Sequence, residues 1–76
     1  MSDSTQTLGQ RRVKAEFNPA KDGTVDQIKN KSAELIDLIE SLRSSDSTPE
    51  KHRILSIAQT EVETGCMYAV KGCFTE

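Results

Sequence analysis

The chain has 76 residues, 34% of them hydrophobic and 4% aromatic, and twelve acidic against ten basic side chains leave a net charge of −2. A chain this short buries only about 60% of its unfolded surface, so it makes one small domain, and Phe17, Tyr68 and Phe74 cannot anchor a large core. The charge argues against a general nucleic-acid coat protein, whose footprint is a basic surplus, and no window approaches the roughly 18 apolar residues of a membrane span. Two cysteines in a serine-rich chain make no disulfide framework, which leaves self-association as the expected supplement to the core. With neither a basic start nor an apolar stretch at the N-terminus, no secretory signal is expected and the protein should be soluble and cytoplasmic.

Residues 1–10 are almost entirely Ser, Thr, Gln, Asp and Gly. They offer nothing to bury against the entropy of ordering, so a disordered tail is expected. Residues 11–23 mix basic side chains with Phe17 and then punctuate with Pro19 and Gly23. A residue before proline is pushed away from helical angles, which predicts a turn at Asn18-Pro19. The first helix is expected over about 24–43, because Thr24-Val25-Asp26-Gln27 fits a capping box and Asp26 suits the helix dipole. Its seam reads Val25, Ile28, Ser32, Leu35, Ile39 and Leu42, widened by Ile36.

The polar cluster 44–47 then reads as a connector. Thr48 as cap, Pro49 at the first helical position and Glu50 in the first turn start a second helix over about 49–72. Leu55, Ala58, Val62, Cys66, Ala69 and Cys73 form one face, widened by Ile54, Ile57, Met67 and Val70. No strand pattern and no repeat is visible. Two such helices joined by about five residues lie antiparallel, so the expected fold is all-α: a short N-terminal segment followed by an αα-hairpin over residues 11–76. The second helix is apolar around more of its circumference than one partner helix covers, which points to a homo-oligomer.

Catalytic and metal chemistry find no motif. His52 has no cysteine or carboxylate at ligand spacing and reads as an exposed first-turn residue. Cys66 and Cys73 sit on the seam as small hydrophobes. There is no phosphate loop, nucleophile elbow or carboxylate pair, so neither enzyme activity nor a cofactor or metal is expected.

Charge is informative by region. Residues 1–31 carry +2, residues 32–50 carry −4, and residues 51–76 balance. The hairpin loop is the anionic end, and the opposite end, with Arg11, Arg12, Lys14 and Lys71, suits a small phosphate ligand. There Phe17 could stack a base, Asn18 could read a base edge, and Arg11 or Arg12 could pair with a phosphate. The plainer alternative is that Phe17 staples the N-terminal segment to the helices and the arginines are solvated. On the second helix Thr60, Thr64, Gly65 and Lys71 form a second candidate patch. Glycine inside a helix costs about 1 kcal/mol against alanine, so Gly65 calls for close packing between subunits or approach of a ligand.

The order and spacing of RRVKAEFNP, TVDQIKNKSAELIDLIESL and ILSIAQTEVETGCMYAVKG resemble the phage anti-CBASS sponge family, whose helical hairpin is shared with an anti-Thoeris sponge. The resemblance covers residues 11–73. It implies a hexamer in the cytoplasm of the infected bacterium that sequesters cyclic oligonucleotides without cleaving them, so that host CBASS effectors are not activated. It also implies cyclic dinucleotide pockets between neighbouring protomers and, in some members, separate cyclic trinucleotide sites.

By motif position Lys29 resembles the family lysine that meets the dinucleotide phosphates. The RRVKAEF segment lacks the family's tyrosine, so Phe17, Arg11 or Arg12 takes its part. Thr60, Gly65 and Lys71 fall at the trinucleotide-site spacing, with Lys71 where the better-studied branch has arginine, which removes a planar bidentate fork. An alternative of another class is a helical protein–protein adaptor or antitoxin-like module, supported by the same apolar face. A DNA-binding helix-turn-helix is disfavoured by the acidic connector, and no membrane partner is expected.

Overall fold

The computed structural model of the chain describes residues 5–18 and 21–76. All its elements are helical: α1 (Leu8–Val13), α2 (Gly23–Glu40) and α3 (Pro49–Cys73), with α2 and α3 forming the hairpin and α1 laid chiefly against α2.

Helix α1 begins inside the segment whose composition predicts a disordered tail, and residues 1–4 of that tail lie outside the described residues. Thr7 caps α1 in a full capping box: its hydroxyl accepts from the Gln10 amide at 3.1 Å, and its own amide donates to Gln10 Oε1 at 2.9 Å. Six residues cannot hold a helix in water alone. Docking supplies the rest, since Gly9 is buried and its amide donates to Asp37 Oδ1 at 2.7 Å. A β-carbon on Gly9 would lie 2.1 Å from the Ala33 carbonyl oxygen, so only glycine allows this approach. The helix stops at Lys14, which is left-handed at φ 55°.

The expected cap at Thr24 is replaced by Asp22, whose carboxylate accepts from the Thr24 amide at 2.8 Å, so that α2 starts at Gly23. A charged acceptor at this end also complements the helix dipole. Asn18 fixes the entrance: Nδ2 donates to the Asp22 carbonyl at 2.8 Å and to Asp26 Oδ1 at 2.9 Å, while Oδ1 accepts from the Asp22 amide at 3.1 Å. Pro19, the other half of the expected turn, is outside the described residues. At the far end α2 gives way at Ser41 to tighter bonds, Leu42 N to Ile39 O and Arg43 N to Glu40 O. The Thr48 hydroxyl caps α3 through the Lys51 amide at 3.1 Å, with Pro49 in the first turn.

The buried stripe of α2 is Val25, Lys29, Ala33 and Ile36, and the expected seam members Leu35 and Leu42 are exposed. On α3 it is Leu55, Gln59 and Cys66, with Ala69 exposed. The stripe of α2 is turned because α1 needs the small Ala33 surface, and α2 therefore faces two partners at once. Val13, Ala33, Ile36 and Cys66 form the central cluster, with Leu8, Ile28, Val62 and Val70 against it.

Gln59 fills the hairpin's other polar position. Its Nε2 donates to the Ile36 carbonyl at 3.2 Å and to Glu40 Oε1 at 2.9 Å, and its Oε1 accepts from Arg43 at 2.8 Å. Arg43 also reaches Glu40 and Ser56, and its Nη1 lies 3.1 Å from His52 Nδ1. Arginine can only donate, so Nδ1 is the accepting atom of this contact. His52 is thus half-buried in this cluster rather than an exposed first-turn residue.

Among the described residues six hydrophobic side chains are buried, while nine large ones, including Leu38, Leu42, Ile54, Ile57, Met67 and Tyr68, are exposed. The radius of gyration is 13.7 Å, against about 11 Å for a compact domain of this length. One copy leaves much of its apolar surface uncovered.

Candidate ligand cavity

The turn between α1 and α2 closes over one end of the hairpin. Lys29 is the reason. It comes from the buried stripe of α2 and is 6% exposed. Its ammonium donates to the Lys14 carbonyl at 3.0 Å and to the Phe17 carbonyl, and lies 5.3 Å from the centroid of the Phe17 ring. A buried ammonium is tolerated only when its donors are engaged, and here two carbonyls and a ring face engage them. The same bonds hold Lys14 in its left-handed conformation and pin the Phe17 backbone.

Beside this knot lies a cavity of about 240 Å³. Its lining is apolar along Val13, Cys66, Met67 and Val70 and charged at Arg12, Lys14, Lys29 and Glu63, with Phe17 beside them. Arg12 Nε donates to Glu63 Oε1 at 2.9 Å, with both side chains about a third exposed, and Arg12 Nη2 reaches Thr60 Oγ1 at 3.5 Å. Phe17 is 64% exposed and also borders a wider hollow with Arg11, Lys14, Glu16 and Gln6.

Of the side chains singled out in the sequence, Arg12, Phe17 and Lys29 come together at the cavity, Thr60 adjoins it through Arg12, and Arg11 lies in the neighbouring hollow. Asn18 does not line either space, since both ends of its amide are spent at the entrance of α2. Gly65 and Lys71 are exposed on α3, and nothing lies within 4 Å of where a Gly65 β-carbon would stand, so packing inside the chain does not require that glycine. Sequence reasoning placed Lys14 at the basic end without giving it a ligand role, and passed over Glu63. Lys14 was legible as part of the RRVK run, but only the α1–α3 approach that pairs Glu63 with Arg12 reveals that carboxylate.

The acidic loop end is ordered by its own partners. The Gln59 amide and the Arg43 guanidinium hold the Glu40 carboxyl below its ordinary value of 4.5. Among the described residues no cluster of three metal-ligating side chains occurs, and no helix is long and apolar enough to cross a membrane.

A flat helical scaffold with a cation-rimmed, apolar-floored cavity and a broad uncovered apolar surface defines a small ligand-binding helical protein. A family model described as Acb2/Tad1, hairpin domain, matches residues 10–74. The chain belongs to that family, the anti-CBASS and anti-Thoeris sponges of phages, which take up cyclic oligonucleotides. No curated protein and no solved structure matches it.

Proposed function

We propose that this chain sequesters cyclic dinucleotides, and cyclic trinucleotides at a second site near Thr60, Gly65 and Lys71, without cleaving them, in the cytoplasm of an infected bacterium. Host CBASS effectors are then left without free messenger. The observation that carries this reading is the cavity in which Arg12, Lys14 and Lys29 surround an apolar floor beside the exposed Phe17 ring. Such a site suits a base next to a phosphate: the apolar lining and the ring take the base, and Arg12 and Lys14 take the charge, while Lys29 holds the turn that carries them.

The cavity is smaller than the roughly 300 Å³ at which ligand pockets begin. One copy therefore holds part of a dinucleotide, and a neighbouring copy supplies the rest. The protein acts as a homo-oligomer, a hexamer as the family resemblance implies, and its exposed leucines and isoleucines are the surface that association covers. Sequestration needs tight binding and no acid–base pair.

The test is to incubate the protein with a cyclic dinucleotide, filter, and heat the retained protein. Loss of free ligand followed by recovery of the intact cyclic compound is expected. Cleaved product would make the protein an enzyme. The exposed apolar face also supports a protein–protein adaptor, which a panel of cyclic dinucleotides and trinucleotides tests through the melting temperature. A ligand at 100 times its dissociation constant stabilises by about 2.7 kcal/mol, or roughly 10 °C or more for a domain of this size, and no shift with any member would favour the adaptor.

A further inference from the structure

The carboxylate of Glu63 is out of place in a site built for anions. It lies on the rim of a cavity with three cations, where it lowers the attraction for a phosphate and holds Arg12 Nε at 2.9 Å. Phosphate binding gives no reason for it. Base recognition does, because the Arg12–Glu63 pair presents a fixed donor beside a charged acceptor at the mouth of an apolar slot.

Guanine is the base that uses both. Its Watson–Crick edge carries O6 as acceptor and N1–H and N2–H₂ as adjacent donors, so one carboxylate takes two charge-assisted bonds while the guanidinium donates to O6. Adenine offers a single donor group on that edge, the N6 amine, and leaves the second carboxylate oxygen unmatched. Among the described residues only Oε1 of Glu63 is engaged, by Arg12, so Oε2 and the remaining lone pairs are available. A volume of about 240 Å³ with Phe17 at its edge accepts one planar base but not a whole dinucleotide.

We propose that Glu63 is a specificity-determining residue that reads the N1–H and N2–H₂ edge of a guanine seated against Phe17, so that guanine-containing cyclic dinucleotides are preferred over adenine-only ones. This inference rests on the sponge reading given above. The carboxylate acts by hydrogen bonding alone, and no bond of the ligand is broken.

Titration calorimetry with cyclic di-GMP, cyclic di-AMP and cyclic di-IMP tests it on the unmodified protein. Inosine keeps O6 and N1–H but lacks the N2 amine, so cyclic di-GMP is expected to bind at least about tenfold more tightly than cyclic di-IMP, the loss of one hydrogen bond to a charged group. Cyclic di-AMP is expected to be weaker than cyclic di-GMP. In Glu63→Gln the preference for cyclic di-GMP over both others shrinks toward unity, while cyclic di-AMP binds as well as before or better because a negative charge has left the site. Equal binding of cyclic di-GMP and cyclic di-IMP, or a preference untouched in Glu63→Gln, overturns the role of Glu63 and leaves the sponge reading standing. Failure of all three ligands to bind overturns both. The comparison with cyclic di-IMP needs no variant, so a folding defect in Glu63→Gln would not blunt the test.

Discussion

The Gly9 amide donates to Asp37 Oδ1 at 2.7 Å, at a point where α1 crosses so close to α2 that a β-carbon on Gly9 would stand 2.1 Å from the Ala33 carbonyl oxygen. The obstructing atom is backbone and cannot swing aside, so Gly9→Ala must push α1 off α2. Overpacking of this kind costs about 1–3 kcal/mol. Hydrogen exchange should show lost protection confined to Leu8–Val13 with α3 retained, and ligand binding should fall because Arg12 hangs from α1. Unchanged protection in α1 would refute the docking.

Phe17 contributes its ring to the cavity while remaining 64% exposed, so Phe17→Ala removes a stacking surface and little core. Base–aromatic stacking is worth about 1–3 kcal/mol, which predicts a loss of roughly tenfold or more in cyclic dinucleotide affinity, together with a smaller loss of stability, about 1 kcal/mol, from the contact with the Lys29 ammonium. Lys29→Ala is a poorer probe of binding. It would remove the one donor shared by the Lys14 and Phe17 carbonyls, leaving Lys14 only the Phe17 amide, and disturb the turn itself.

Gln59 is 1% exposed and ties both helices through Ile36, Glu40 and Arg43. Gln59→Leu keeps the volume but leaves Arg43 and the Ile36 carbonyl without this partner. The Ile36 carbonyl keeps its helix bond and Arg43 its bonds to Glu40, His52 and Ser56, so what is lost is the net worth of three hydrogen bonds, about 0.5–1.5 kcal/mol each, and denaturant titration should show a loss of a few kcal/mol. A neutral result would mean that the polar cluster does not hold the hairpin.

The pH dependence has a definite sign. Hydrogen bonds from Gln59 and then Arg43 lower the Glu40 carboxyl from 4.5 in the folded state. A depressed carboxyl contributes stability that is present above its unfolded value and is lost as pH falls through its folded value. The contribution of Glu40 to the melting temperature should therefore be constant above its unfolded value of 4.5 and be lost at lower pH, and Glu40→Gln should make the acid decline shallower. An identical acid limb in the variant would remove Glu40 as a contributor.

Leu38, 63% exposed, lies on the outer face of α2 near Leu35 and Leu42. If association covers this face, Leu38→Glu places an unpaired charge in the interface. Sedimentation velocity should then show a smaller species with helical content retained. Unchanged assembly would move the interface to the Met67 and Tyr68 region of α3.

Local signals in the chain mark out much of the hairpin. The Thr48-Pro49-Glu50 start works through neighbours in sequence, as does the break at 44–47. Local signals also carried one feature that composition concealed: Thr7-Leu8-Gly9-Gln10 is a capping box, but its polar surroundings predict disorder. The seam on α2 was misplaced for a nonlocal reason. Period alone selects Leu35 and Leu42, whereas contact with α1 through Gly9 turns Ala33 inward and leaves those leucines outside.

Residue types and their spacing sufficed for an all-helical chain with excess apolar surface and a basic end bearing Arg11, Arg12 and Phe17, because helix periodicity, caps and charge runs act over a few residues; that Lys29 belongs with them was implied only by the family resemblance. Whether those side chains meet was decided by tertiary contacts spanning 12 to 51 positions: Lys29 with Phe17, Gly9 with Asp37, and Arg12 with Glu63. Charge counted along the chain shows that cations outnumber acids near the N-terminus. Only the fold brings a carboxylate from the middle of α3 into their midst.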